Sequence, residues 1–215
     1  MTKATSFAAA VLACAAFFGV ALAEVPNDAN DVKPLLPGLT APMFSAVTAT
    51  GDTFSLDPDN MQRPAVLIFY RGGWCPFCNL YWSKLREIED ELIALNQDVV
   101  FISPDRVELL AEALADEDDQ PSYQLASDAD SKIAEAFGIA FKVDPETHKR
   151  YEEYSTFLEE KSGFDHHQLP APAVFIVDTD GVIKFSYVNP DYKVRLHPDV
   201  LMAAASNLSG FTLKR

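Results

Sequence analysis

Two cysteines three positions apart stand in the segment Tyr70-Arg71-Gly72-Gly73-Trp74-Cys75-Pro76-Phe77-Cys78. A C-x-x-C pair can cycle between dithiol and disulfide, or it can supply half of a metal site. On a helix, positions i and i+3 hold their β-carbons roughly 5–6 Å apart. A disulfide wants them at about 3.5–4.5 Å, so a turn at a helix start closes the gap with little movement. That place also favours an anion, because free N–H groups and the positive end of the helix dipole face it. The expected Cys75 pKa therefore lies below the free-thiol value of about 8.5. Pro76 suits a first helical turn, where its missing N–H has no partner to lose. Cys78, one turn inside, is expected to be more buried and less acidic, able to attack an adduct on Cys75 and close the disulfide. Cys75 is read as the nucleophile and Cys78 as the resolving thiol. A closed zinc site would need His or acidic ligands from elsewhere, since there is no second C-x-x-C.

The elements that must hold this pair can be read from periodicity. Residues 65–70, Ala-Val-Leu-Ile-Phe-Tyr, form a continuous apolar run, as expected of a strand buried on both faces. Arg71-Gly72-Gly73 ends it. Leu85, Ile88, Leu92 and Leu95 then fall on one face of a helix expected over 80–95, opposite Lys84, Glu87 and Glu91. The cysteines thus sit at a strand-to-helix junction. Further strands are expected at 44–48, 54–56, 98–103, 122–126, 173–177 and 182–188, with turns at 50–52 and 178–181. Further helices are expected at 107–114, 131–137 (stopped by Gly138) and 197–207. Residues 145–161 alternate charge with aromatic side chains and suggest an exposed helical insertion. Alternating β and α elements ending in a hairpin and a helix give an α/β fold with a central mixed sheet flanked by helices.

The chain has 215 residues, 48% hydrophobic and 23% charged, which suits one folded domain able to build a core without disulfide staples. Residues 1–23 read as a secretory signal peptide: Lys3, an unbroken apolar run from Phe7, and the end Ala21-Leu22-Ala23 before Glu24. An uncleaved anchor needs roughly 20 apolar residues, and a lipoprotein site at Cys14 would require cleavage inside the run. With the leader removed, Cys75 and Cys78 remain of three cysteines, which leaves no disulfide framework. The expected location is exported, periplasmic or secreted. Residues 24–37 form an irregular arm rich in Pro, Asn and Asp, and 38–215 the domain. The formal charge is −15, and loss of Lys3 moves it to −16. Such an acidic surface excludes nucleic acid and anionic lipid as natural partners. The run Asp116-Glu117-Asp118-Asp119 reads as the polar end of a helix. No G-x-G-x-x-G or P-loop points to a nucleotide or flavin cofactor.

The segment Phe69 to Cys78 resembles the active site of the redoxin group in the thioredoxin superfamily, and above all its AhpC/TSA peroxiredoxin-like branch. Ala41-Pro42-Met43-Phe44, Ile102-Ser103-Pro104-Asp105, Ser127-Asp128 with Ala136-Phe137-Gly138, and Ala171 to Asp178 with Gly181 resemble other parts of that branch. The resemblance spans about residues 38–210. It implies a thioredoxin-like fold and a thiol-dependent antioxidant oxidoreductase cycling Cys75 and Cys78, reducing peroxides at the expense of an external dithiol donor. That donor would be a thioredoxin-like protein or a small thiol. It also implies a cis Pro172 facing the active-site cysteine. Two positions depart from the pattern. Ile68 and Gly72 stand where the branch carries Pro and a Thr or Ser whose hydroxyl binds thiolate and peroxide. Arg71 or Arg195 could supply the cation for thiolate and leaving oxygen. Trp74 is expected to shield the thiol.

Two other readings stay open. The same dithiol could exchange with protein disulfides. Alternatively, Cys75, Cys78 and His166 or His167 could carry copper, as soft thiolates select Cu(I). Asp105 is expected to cap the helix that follows it, the other reading being a polar group near the site.

Overall fold

The computed structural model describes residues 24–116 and 122–208; the leader segment 1–23 and Glu117 to Asp119 lie outside them. Strands β1 (Phe44–Val47) and β2 (Thr53–Leu56) form an antiparallel hairpin. The central sheet is built from β3 (Ala65–Phe69), β4 (Asp98–Ser103), β5 (Gln124–Ser127), β8 (Ala173–Val177) and β9 (Ile183–Val188). Its order is β5-β4-β3-β8-β9, with β3, β4 and β5 parallel and β8 and β9 antiparallel to their neighbours. A short ribbon pairs β6 (Ala140–Lys142) with β7 (Gln168–Pro170), two strands the periodicity does not announce because each has three residues.

The all-apolar run in β3 is buried at every position because helices or loops cover both faces of the sheet. Leu67 and Phe69 point to one core with Phe44, Phe137, Phe175 and Ile183. Val66 and Ile68 point to the other, which holds Cys75, Cys78, Leu85, Leu92, Phe101 and Leu201. That alternation follows from the strand's period of two. The expected arm over 24–37 contains a 3-10 turn at Ala29–Asp31 and is pinned along the domain. The Lys33 and Leu35 N–H groups donate to the Gly138 and Phe137 carbonyls, and Lys142 N–H donates to Pro26 O.

The single helix expected over 80–95 is two: α1 (Pro76–Arg86) and α2 (Glu89–Ala94). Ile88 leaves the helical region, at φ −116° and ψ 7°, so α2 turns to lie against β4 while Leu85 and Leu92 both stay buried. Helices α3 (Val107–Ala115) and α4 (Lys132–Ala136) follow β4 and β5. The insertion is also two helices, α5 (Pro145–Glu153) and α6 (Leu158–Ser162), parted by a turn with Ser155 at φ 55°. Asp144 caps α5 by accepting from Thr147 N–H, and Gly163, left-handed at φ 83°, ends α6. Helix α7 (Pro198–Ala205) closes the chain's described part and packs on α2.

Candidate active site

The buried strand β3 delivers the chain to a five-residue loop, Tyr70 to Trp74, and α1 begins directly after it with Cys75 at the N-cap and Pro76 in the first turn. Both thiols are free and buried, Cys75 being 1% and Cys78 3% exposed. The Cys75 pKa is lowered to about 6. The Cys78 thiol hydrogen-bonded to its sulfur is the main cause; burial opposes it, and the Cys78 backbone N–H and the Arg71 and Arg195 guanidiniums assist. The pair shares a proton: stabilising charge on Cys75 holds Cys78 protonated, and the Cys78 pKa is pushed far up, by that hydrogen bond first and by burial second. One sulfur is thereby an anion at neutral pH and the other a proton-bearing neighbour.

Both arginines favour the Cys75 thiolate, and they are held in different ways. Arg71 is 3% exposed and lies in a nest of aromatic faces, with its guanidinium carbon 4.1 Å from the Tyr192 ring centre, 5.2 Å from Trp74 and 5.3 Å from Tyr151. Its Nη2 donates to the Tyr151 hydroxyl. Burial pushes its pKa down; the two thiols and Tyr192 favour its charge, and Arg195 opposes it. Arg195 reaches Cys78 instead: its Nη2 donates to Cys78 Sγ at 3.4 Å, and its Nη1 is held by the Tyr192 and Val194 carbonyls. Trp74 is half-buried against Tyr151, ring centres 5.4 Å apart, and against Leu158 and Leu169 under α6.

The loop itself is shaped by residues from other parts of the chain. Asp105 does not cap α3, whose N-cap is Arg106. It is buried, and its Oδ2 accepts from Gly73 N–H at 2.7 Å and from the Ser103 hydroxyl at 3.3 Å, which fastens the active-site loop to the end of β4. Burial pushes its pKa up to about 6 against those hydrogen bonds. Tyr151 and Tyr192, which enclose Arg71, are the other two additions. Tyr192 lies in the same short segment as Arg195, a signal available beforehand; Tyr151, eighty residues from Arg71, offers none. Arg71, Tyr151, Pro172, Pro190 and Tyr192 line one cavity of about 220 Å³ with the arm residues Asn27 to Asn30.

The AhpC/TSA family model matches residues 37–186. The chain belongs to that family. Peroxiredoxin Bcp of Escherichia coli K12 is 29% identical over 171 residues, covering 80% of this chain and 96% of that protein. A putative peroxiredoxin bcp of Haemophilus influenzae is 32% identical over 50% of this chain and 68% of its own. Among solved structures, peroxidoxin BcpB of Mycobacterium tuberculosis superposes with a TM-score of 0.58 at 22% identity, covering 79% and 96% of the two chains. Peroxiredoxin 6 of Arenicola marina gives 0.63 at 16%, covering 81% and 74%. At such identities these two establish the fold, which is thioredoxin-like.

The departures from the AhpC/TSA pattern have local causes. Ile68 is a fully paired residue of β3, opposite Phe101 and Val174, where proline would remove a ladder donor. Gly72 sits at φ 134°, and a β-carbon there would collide with the Trp74 indole and lie 2.8 Å from Asp105 Oδ1. The threonine hydroxyl therefore has no place in this loop. The expected cis Pro172 is corrected: its peptide bond is trans, like every described bond. The chain is extended there, running from β7 into β8, with Ala171 N–H bonded to Ile139 O and Pro172 O accepting from Asn189 N–H, and a trans bond fits that path. The two histidines are turned to other partners. His166 uses its ring nitrogens on Ala129 O and Gln168 N–H, and His167 meets Glu159.

Proposed function

We propose that this chain is an exported thiol-dependent peroxidase. The observation that carries the reading is a buried thiolate at a helix N-terminus, with its pKa lowered to about 6, beside a protonated second thiol and two guanidiniums. The Cys75 thiolate attacks one peroxide oxygen. The O–O bond breaks, Cys75 becomes a sulfenic acid, and the other oxygen leaves as alkoxide or hydroxide and takes up a proton. Arg71, whose charge has the thiols as its favourable neighbours, is placed to stabilise the leaving oxygen in the role the missing threonine leaves vacant. The Cys78 thiol then displaces water from the sulfenic acid and the disulfide forms. An external dithiol, a thioredoxin-like protein or a small thiol, returns the pair to the reduced state.

A small peroxide suits the site better than a protein disulfide. For the reduced chain to attack a protein disulfide, Cys75 must present its sulfur to a folded partner, and it is 1% exposed. The names of the Bcp relatives point the same way. Export rests on residues 1–23 alone. It is checked by the mass of the chain secreted by a host cell, which is expected to begin at Glu24.

The deciding experiment is stopped-flow oxidation of the reduced protein by hydrogen peroxide, followed by tryptophan fluorescence. The expected rate is far above that of a free thiolate at the same pH and is lost in Cys75→Ser. A rate no better than a free thiol, alongside rapid oxidation by a protein or glutathione disulfide, would make the chain a disulfide exchanger.

A further inference from the structure

Within the insertion and the segment that follows it, three side chains that ligate metals meet. His148 comes from α5, Glu159 from α6 and His167 from the segment before β7. One ligand atom of each lies within 4.8 Å of the others. His148 Nε2 is 2.9 Å from Glu159 Oε1, and His167 Nε2 approaches the same oxygen. The two imidazole rings lie 4.2 Å apart at 30°. Two imidazoles from different elements converging on one carboxylate oxygen is an arrangement a cation organises better than a proton does. A single oxygen offers each ring a share of one charge, whereas an ion accepts all three donors at once.

We propose that His148, Glu159 and His167 bind a divalent transition-metal ion of the zinc class. Imidazole nitrogen and carboxylate oxygen suit Zn²⁺, for which ligand distances are about 2.0–2.2 Å. Tetrahedral ligands at that range stand roughly 3.3 Å from one another, so the Glu159 oxygen draws back from both imidazoles to admit the ion. Glu152 Oε1 stands 4.0 Å from His148 Nδ1, the place where a ligating histidine has its outer carboxylate. His167 holds φ 51°, a conformation a non-glycine residue adopts at a cost, and Val143 N–H bonds its carbonyl. All three side chains are partly exposed, so an ion can enter from solvent and keeps a position for water. The acidic chain attracts cations generally.

The ion ties three segments together. His148 lies one turn before Tyr151 on α5, and Tyr151 holds Arg71 and stacks on Trp74. Occupancy therefore fixes the insertion that covers the active-site arginine.

The test uses the full chain with Cys75→Ser and Cys78→Ser, so that the dithiol cannot compete for metal. Titration calorimetry with Zn²⁺ is expected to show one equivalent bound and a raised Tm. Glu159→Gln and His167→Gln, which keep the size of each side chain, are expected to weaken binding by more than the roughly 10–100-fold typical of losing an outer-shell partner. Their circular dichroism and Tm without metal show that they fold. Hydrogen exchange over 145–153 is expected to slow when Zn²⁺ binds. No binding, or binding that both variants retain, would overturn the site. Binding without slowed exchange would overturn the link to Tyr151.

Discussion

At the residue scale, the acidity of Cys75 belongs to its neighbours, and the first of these is Cys78. The hydrogen bond from one thiol to the other lowers one pKa and raises the other, so removing either partner changes both. The reactive species is the thiolate, and the peroxide rate is expected to rise with pH through about 6 and level off above it. In Cys78→Ser the hydroxyl is a different donor and the thiol's proton is gone. The midpoint is expected to shift upward, with sulfenic acid accumulating on Cys75 and trapped by a dimedone-type reagent. Asp105 titrates in the same range, so the ultraviolet absorbance of the thiolate, which reports the sulfur alone, is the measurement to use. An unchanged midpoint would mean that the helix N-terminus, and not Cys78, sets the pKa. Arg71 and Arg195 separate in the same way. Arg71→Met removes the cation expected at the leaving oxygen and is expected to slow peroxide reduction by about 10²-fold. Arg195→Met, touching Cys78, is expected to slow disulfide closure more than the first step. Equal effects on the first step would refute that division.

At the element scale, the active-site loop is a short span held at both ends, by β3 and by α1, and tied in the middle through Gly73 to Asp105. Gly72 carries the tight part of that path. Gly72→Thr restores the family's hydroxyl in name, but its side chain meets the indole of Trp74 and the carboxylate of Asp105 in a backbone conformation that costs of order 1–3 kcal/mol. The expected outcome in denaturant unfolding is a loss of about that size, with no gain in peroxide rate. A stable, faster Gly72→Thr would show that the loop relaxes into the usual family arrangement. Asp128 plays a comparable part at the next junction. It is buried, and its two oxygens accept from the N–H groups of Ile133 and Ala134, each at 2.8 Å, at the start of α4. Asp128→Ala orphans both donors and is expected to cost about 2–4 kcal/mol. An effect below 1 kcal/mol would mean that water replaces the carboxylate.

At the scale of the whole molecule, the arm outside the matched domain is part of the folded unit. Its Val25 and Leu35 pack on the core around Phe137, and the Lys33 carbonyl lies so close to Gly138 that no β-carbon fits between them. Its residues Asn27 to Asn30 also wall the cavity beside Arg71. Deleting residues 24–36 is expected to lower Tm by several degrees, since each 1 kcal/mol is worth about 2–4 °C in a domain of this size. It is also expected to open the Arg71 side of the site to larger peroxides. A truncated chain with unchanged Tm and substrate range would make the arm a passive tail.

Local chemistry was legible in the sequence. An apolar run long enough for a doubly covered strand, two loop glycines, a proline suited to a first turn and cysteines at i and i+3 define the strand-to-helix junction from neighbouring residues alone. The alternation of elements likewise indicated a mixed sheet flanked by helices. What joined residues far apart in the chain was decided only by tertiary structure. Arg195 reaches a sulfur 117 positions away, Tyr151 reaches Arg71 across 80, and Asp105 turns from a helix cap into a tether for Gly73 across 32. The trans bond at Pro172, the break at Ile88 and the meeting of His148, Glu159 and His167 belong to the same class. Periodicity reports which face of an element is buried. It does not report what that face is buried against, and the geometry of these contacts depends on the packing of elements that no local pattern relates.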